Sequence, residues 1–481
     1  FASSAASDVY KRQRLDRGQI CLCQRHRINR PVLNATSQFR RRHLQPVFHN
    51  PPPLHEKDGS VSATHGQSRI RLHIQGMEHD CDIAIVGGGL NGPTLALAAA
   101  QAGLRVIVLD AAPHNPRKNT KFDGRAYALA LASKRLMAAV GVWEGIAEHA
   151  EPMLHIRVSD GRVGAGASPF FIDFDHAELE EGPMGYMVED RHLRHALQAA
   201  MLATPSIEYR IATRVIAQTT SSKGMTLSLA NDQKITARLL VGADGRQSGT
   251  AARAGITYTG WQYGQTALVC AVQHGRPHGG VAHQFFMPTG PLAVLPLSAK
   301  RSAVVWSEQT DSATLINALD DAAFLDVLRP RFGDFLGDIT LVGGRFSYPL
   351  GMMIAKSYIA PNVALIGDAA HGVHPIAGQG LNAGLRDVAA LIQVLSEAKQ
   401  RGEDFASQPV LARYQQWRRF DATALAVATD GFNRLFSNDN PILRLGRNLG
   451  MGMVNALPGV RRGILREAAG LTGELPELMR G

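Results

Sequence analysis

The sequence predicts an α/β protein: a Rossmann-like dinucleotide-binding domain, interrupted by a mostly antiparallel sheet and followed by a helical C-terminal segment. Three observations predict it. First, Cys81–Val86 reads as a short buried strand that runs directly into Gly87-Gly88-Gly89-Leu90-Asn91-Gly92 and an Ala/Leu-rich helix. Second, two later apolar strands each end in a Gly/Asp turn, at Asp244-Gly245 and at Gly367-Asp368. Third, between those strands, short strand-like runs alternate with Gly/Pro turns, as in an antiparallel sheet.

The chain opens with a basic stretch. Residues 1–76 carry 13 of the 51 Lys/Arg and 4 of the 41 Asp/Glu, and the rest of the chain carries 38 and 37. The body is therefore close to neutral. A nucleic-acid partner is not expected, because phosphate binding needs a basic stripe there. The stretch begins with Phe1, holds Pro51-Pro52-Pro53 and lacks apolar periodicity. Asp8-Val9-Tyr10-Lys11-Arg12-Gln13 looks like a translated sequencing-library transposon end, and Met77 is the first plausible initiator. Residues 1–76 are expected to be a non-native or disordered extension. The alternatives are an Arg-rich organellar transit peptide and a basic tail. Cys21, Cys23, Cys81 and Cys270 form no CxxC pair, so a reduced compartment without structural disulfides is expected.

The first fingerprint has a physical logic. Gly87 permits the turn out of the strand, Gly89 lets the backbone approach a pyrophosphate, and Gly92 lets the helix pack close to the sheet. The helix N-terminus offers free N–H groups and a positive dipole end. Leu104–Leu109 is a second strand, and Asp110 stands at its end, where a carboxylate can bind ribose hydroxyls.

Leu239–Arg246 is an apolar strand ending in Asp244-Gly245. Val363–His371 repeats the pattern with Gly367-Asp368, and Pro375, Gly378, Gly380, Leu381 and Asn382 lead into another helix. These three ordered motifs resemble the flavoprotein aromatic hydroxylases related to para-hydroxybenzoate hydroxylase. The run His374–Asp387 and the segment Asp123–Leu129 resemble the ubiquinone-biosynthesis branch of that family, which acts on polyprenylated phenols.

The resemblance covers nearly all of 77–481 and implies FAD as cofactor and NAD(P)H as co-substrate. It assigns Asp110 to the adenosine ribose and Arg125 to the pyrophosphate or ribityl chain. Asp244 and Gly245 would support FAD and the nicotinamide path. Gly367 and Asp368 would hold a ribityl hydroxyl, and Pro375 would lie beside the flavin ring. Gly378 and the Gly380, Leu381 and Asn382 amides would face the flavin pyrimidine. The implied reaction is hydroxylation by O2 through a C4a-hydroperoxide of the flavin, on a polyprenylated phenol. A polyprenyl reductase or a hydroxylase of small soluble phenols is the alternative within the superfamily. No catalytic side chain is assigned; Tyr186 and Tyr263 are the candidates for helping the phenol lose its proton. His371 and His374, three apart, lack a third ligand, so no metal is expected.

The expected division is 77–154, 187–256 and 351–395 as a discontinuous FAD-binding domain, 155–186 and 257–350 as a substrate domain, and 396–481 as a C-terminal helical region. Phe285, Phe286, Leu292, Val294 and Leu295 are candidates for an apolar pocket, with plain sheet core as the alternative. Ile442, Leu445, Leu449 and Met453 recur at helical spacing near Arg444, Arg447, Arg461, Arg462 and Arg466. That pattern suits a helix lying on anionic lipid, or one packed on the domain. A cytoplasmic protein, peripheral on the inner membrane face or in a quinone-biosynthesis complex, is expected; a genuine transit peptide would make it a mitochondrial matrix protein.

Overall fold

Apolar runs without alternation belong in sheets covered on both faces, and that is where the structure puts them. A computed structural model of the protein describes residues 79–113, 121–164, 166–374, 378–437 and 440–480. The extension 1–76 and Pro375 lie outside the described residues. The first sheet is built from β1 (Cys81–Val86), β2 (Val106–Leu109), β3 (Ile207–Arg210), β4 (Lys234–Gly242) and β5 (Val363–Leu365), all pairing in parallel in the order β5-β4-β1-β2-β3. A hairpin, Val215–Ser221 and Gly224–Leu229, continues antiparallel from β4.

Register sets the function of this sheet. Val86 stands opposite both Leu109 and Gly242, and Gly242 stands opposite Leu365. Four strands therefore end level with one another, and the turns that leave them share one edge. Helix α1 (Asn91–Gln101) leaves β1, and α2 (Gln379–Gln400) follows β5. Gly92 to Ala99 are all buried, so α1 packs on every side, which its small residues permit.

The second sheet runs, among the described residues, in the order His371–Gly372, Ile339–Ala355, Tyr258–His274, Arg301–Gln309, Gly290–Leu297, Val281–Met287, His155–Arg162 and Gly166–Asp175. Its pairings are antiparallel except for Val281–Met287 beside His155–Arg162. The alternation of the pleat sorts its side chains. Leu268, Cys270, Val272, Phe285, Leu292 and Val294 form one core with Phe324, Leu328 and Phe332 of the helix Asp321–Phe332. Phe286 and Leu295 belong to other clusters. The five residues expected to line one apolar pocket thus divide between two faces. Adjacent strand positions such as Phe285 and Phe286 cannot share a face.

Two later helices, α3 (Gln408–Phe436) and α4 (Pro441–Ala456), complete the structure with the helix Pro458–Ala468. α3 buries Leu411, Tyr414, Arg418 and Ala422, and it packs on α2. α4 packs along Gly166–Asp175, and its buried Arg447 meets Asp160 of the neighbouring strand His155–Arg162 at 3.0 Å. Arg461 pairs with Glu178 at 2.7 Å and Arg466 with Glu181 at 2.8 Å. Much of the positive charge expected to face lipid is therefore met by acids of the same chain.

Candidate functional site

Glycines occupy the shared edge because backbone meets backbone there. Gly87 has φ +120°, and a Cβ on it would stand 2.3 Å from the Ala243 carbonyl oxygen. That closeness is fixed by hydrogen bonds: the Gly87 amide donates to Leu109 O at 2.9 Å and the Ala243 amide to Val86 O at 2.8 Å. A Cβ on Gly92 would lie 2.0 Å from the Gly87 carbonyl oxygen. Gly89 differs: nothing lies within 4 Å of its Cβ position. The open position is the one the fingerprint reserves for close approach of a phosphate. Gly88, to which the sequence reading gave no role, is also constrained, since its Cβ would meet Asp110 Oδ2 at 2.3 Å.

The N-terminus of α1 carries no side-chain cap and no acid in its first turn, and the same holds for α2, which starts at Gly378. The starts of Leu131–Ala139, Gln408–Phe436 and Pro458–Ala468 are also without cap or acid, whereas others are filled. Ser248 caps Gly249–Arg253, Asp320 caps Asp321–Phe332, and Asp190 occupies the first turn of Asp190–Ala203. Uncapped N–H groups and the positive dipole end can meet an anion or a developing negative charge. The starts of α1 and α2 are the ones that follow turns of the shared edge.

A cavity of about 340 Å3 opens there, with Gly88, Gly89, Asp110, Arg125, Arg194 and Tyr209 in its lining. Asp110 Oδ1 accepts from the Ala112 amide at 3.0 Å and Oδ2 from the Tyr209 hydroxyl at 3.1 Å. Burial and the Asp110 charge push the Tyr209 hydroxyl well above its usual range, so it stays a donor. Arg125 is held by Asp123, at 2.9 and 2.7 Å, and lies 3.5 Å from Asp190. It enters the small sheet strand Ala126–Ala130 and is no surface helix residue. Tyr209 and Arg194 escaped the sequence reading, because nothing local marks a tyrosine on one strand as the partner of an acid on the next.

The Asp244-Gly245 turn is self-contained. Asp244 accepts from Ser248 Oγ at 2.5 Å, and from the amide and Oγ1 of Thr250, both at 2.9 Å. Its carboxylate thus holds the turn, while Gly245 supplies a φ of +79° with nothing within 4 Å of its Cβ position. Arg246 reaches across the edge to Asp368 Oδ2 at 3.4 Å and Val373 O at 3.4 Å. The Gly367-Asp368 turn is fixed from beneath. Asp387 is fully buried and accepts from the Gly367 amide at 2.9 Å, His371 Nε2 at 2.6 Å and Arg418 Nε at 2.9 Å. Burial alone would raise the Asp387 pKa; His371 and Arg418 outweigh it and hold the carboxyl below its usual range. A Cβ on Gly367 or Gly384 would meet the Asn91 amide nitrogen at 2.2 or 2.4 Å, so Asn91 of the first fingerprint also touches the third.

Beyond Gly378 (φ +64°), Gly380 has nothing within 4 Å of its Cβ position, and Leu381 is half-buried. The Asn382 side chain is structural. It accepts from the Ala130 amide at 2.9 Å and donates to Ala128 O at 2.9 Å and Gly378 O at 3.0 Å. Arg386 donates to Gly470 O at 2.6 Å, so it and Asp387 both serve the scaffold. His371–Gly372 pairs with Ile354 and Met353 of the second sheet, and the Tyr258 hydroxyl donates to Ala369 O at 2.9 Å. The loop that follows the third motif is in this way built into the second sheet. Of the two candidate tyrosines, Tyr263 lies edge-on to His374 with ring centroids 5.2 Å apart, whereas Tyr186 packs on Trp143.

Comparison with known proteins agrees with this geometry. The FAD binding domain family matches residues 80–429. A ubiquinone hydroxylase of Rhodospirillum rubrum is 43% identical over 403 residues, covering 83% of this chain and 92% of that protein. The 3-demethoxyubiquinol 3-hydroxylase of Escherichia coli is 37% identical over 393 residues, 81% of this chain and 98% of that protein. Among solved structures, the p-nitrophenol 4-monooxygenase of Pseudomonas putida superposes with a TM-score of 0.69 at 21% identity, covering 82% of this chain and 98% of that one. That likeness speaks to the fold.

Proposed function

Because the chain belongs to the FAD binding domain family, we propose that it is an FAD-dependent monooxygenase hydroxylating the aromatic ring of a polyprenylated phenol in ubiquinone biosynthesis, with NAD(P)H and O2 as co-substrates. One observation carries the reading: similarity to ubiquinone hydroxylases runs through nearly their whole length. The three-motif edge supports the reading, since its glycines would suit the approach of a dinucleotide. Bound FAD supplies hydride acceptance and oxygen activation. The protein supplies position and field.

The residues fit that group. Gly87, Gly89 and Gly92 with the open start of α1 would receive the pyrophosphate. Asp110 would hold ribose hydroxyls, and Arg125 would lie along the phosphates. Gly245 and Asp244 shape the adjoining turn, and Asp368 beside Gly367 would take a polyol hydroxyl. The Gly378–Asn382 backbone at the open start of α2 would face the flavin's acceptor end, where a positive dipole stabilises negative charge. The second sheet would form the substrate domain.

Asp110→Ala is expected to weaken FAD binding by about tenfold to a hundredfold, the worth of a hydrogen bond to a charged group. Titration of apoprotein with FAD, followed by flavin fluorescence, measures it. The reaction itself is tested by NAD(P)H oxidation on a prenylated phenol under labelled O2. Product without the label ends the monooxygenase reading, and a panel of prenylated and soluble phenols tests the substrate class.

We further propose that the protein works at a lipid surface, where a polyprenyl chain resides. No helix among the described residues is long and apolar enough to cross a membrane. α3, however, exposes Phe420 (78%), Val427 (65%) and Leu435 on one face, and Met453, Leu457, Val460 and Ile464 are exposed beyond it. Among the described side chains, exposed apolar surface thus lies on α3, at Met453 and along the helix Pro458–Ala468. Flotation with anionic liposomes should carry the protein upward, and F420E/V427E should stay below. Wild-type protein left in the soluble fraction overturns the proposal.

A further inference from the structure

His374 is fully buried, yet neither ring nitrogen has a hydrogen-bond partner. The Tyr263 hydroxyl, beside the same ring, is buried too, and Asp430 stands as its hydrogen-bond partner. Buried polar atoms are almost always satisfied, and an exception is costly unless a ligand or water meets it. Two such atoms on one fully buried ring mark a place for a polar guest. Resting on the function proposed above, we infer that His374 meets the ring hydroxyl of the phenol substrate, its uncharged imidazole accepting the hydroxyl's hydrogen bond.

The surroundings select the guest. Met352, Val373 and Ala426 form the local core, with Tyr263 and Ile354 packed against it. Arg246 and Asp430 act on the ring with opposite signs, so no net charge favours an ionised guest, whereas a neutral ring bearing one hydroxyl loses little hydration here. Aromatic edges already meet at this point, as the Tyr263–His374 contact shows, and a further ring can join in the same manner. Burial, with help from Arg246 and against the pull of Asp430, pushes the His374 pKa down to about 4. At neutral pH one nitrogen is then free to accept. A base this weak does not remove the proton of a phenol; it orients the hydroxyl and thereby the ring carbon presented for attack. The site is also placed where it must be. His374 follows the Gly367–Asp368 turn, and Tyr263 lies on the Tyr258–His274 strand of the second sheet. His371 Nε2 is committed to Asp387 at 2.6 Å.

The experiment compares a farnesylated phenol with its O-methyl ether, which keeps the ring and loses the donor. Binding to the FAD-loaded enzyme is read from perturbation of the flavin spectrum. Wild type should prefer the phenol by about tenfold. In His374→Phe that preference should collapse towards unity through weaker phenol binding, with ether affinity unchanged. His374→Gln, which retains an acceptor, should recover part of it, and His374→Leu serves if the Phe variant does not fold. An unchanged preference in a folded, yellow His374→Phe or His374→Leu overturns the role of His374. If that same wild type still hydroxylates the farnesylated phenol, the proposed function stands without it. A wild type that binds neither compound overturns the substrate class, and this inference with it.

Discussion

Gly87→Ala is expected to yield a destabilised, colourless protein. The new Cβ would meet the Ala243 carbonyl at 2.3 Å, its carbon at 2.6 Å and the Asp244 nitrogen at 3.0 Å. All three are backbone atoms at the exit of β4, and none can rotate aside. The residue must also keep a φ of +120°, which costs a non-glycine about 1–3 kcal/mol. Overpacking adds about 1–3 kcal/mol. Relief requires parting the ends of β1 and β4, which is where the cofactor is proposed to sit. A loss of FAD affinity of at least about a hundredfold should accompany a lower melting temperature of the apoprotein. Gly89→Ala is the informative contrast. With nothing within 4 Å, its apoprotein should melt like wild type, while FAD binding falls because the methyl group occupies the approach. If Gly89→Ala binds FAD as wild type does, the phosphate does not pass there.

Arg418→Met should cost about 3–5 kcal/mol, since removing one partner of a buried ion pair strands the other. Asp387 would keep only His371 and the Gly367 amide. The melting temperature should drop by on the order of 10 °C, and flavin retention should suffer too, because Asp387 fixes the Gly367-Asp368 turn. The penalty should depend on pH in one direction. The folded Asp387 pKa is depressed, so its stabilisation is fully present above the unfolded value of about 3.9 and is lost as pH falls through the folded value. Urea unfolding at pH 7 should therefore show the full difference between wild type and variant, and the gap should narrow below about pH 4. A gap that widens on acidification would show that the pair is not the source.

Much of the cofactor edge was legible because its constraints are local. Gly87, Gly89 and Gly92 act within one turn, and a strand, a glycine loop and a helix follow one another in the chain. The Asp244 and Gly367-Asp368 turns are likewise written in a few adjacent residues. What stayed illegible acts across the fold. Asp387 finds Arg418, Asn382 holds the backbone of Ala128 and Ala130, and Arg447 finds Asp160, each on a different element. No spacing rule links such partners. The apolar pocket set failed for another reason: hydrophobicity names core residues, but only the register of the pleat says which of two cores each one enters. His374 was visible as a histidine, and only its burial and missing partners make it a candidate for contact with substrate.

The strand order has a consequence for the growing chain. β1 to β4 leave the ribosome long before β5, which follows every strand of the second sheet but His371–Gly372, and Gly367–Asn382 come later still. An unfinished chain would carry a half-built cradle whose β4 flank, with Leu240 and Val241, has not yet gained its neighbour. Such a flank is adhesive and calls for chaperone cover until translation passes α2. Cofactor capture is then a late event. Because a ligand that binds only the native state stabilises it by mass action, vitamin supply would sort completed chains from truncated ones, leaving the latter to proteolysis.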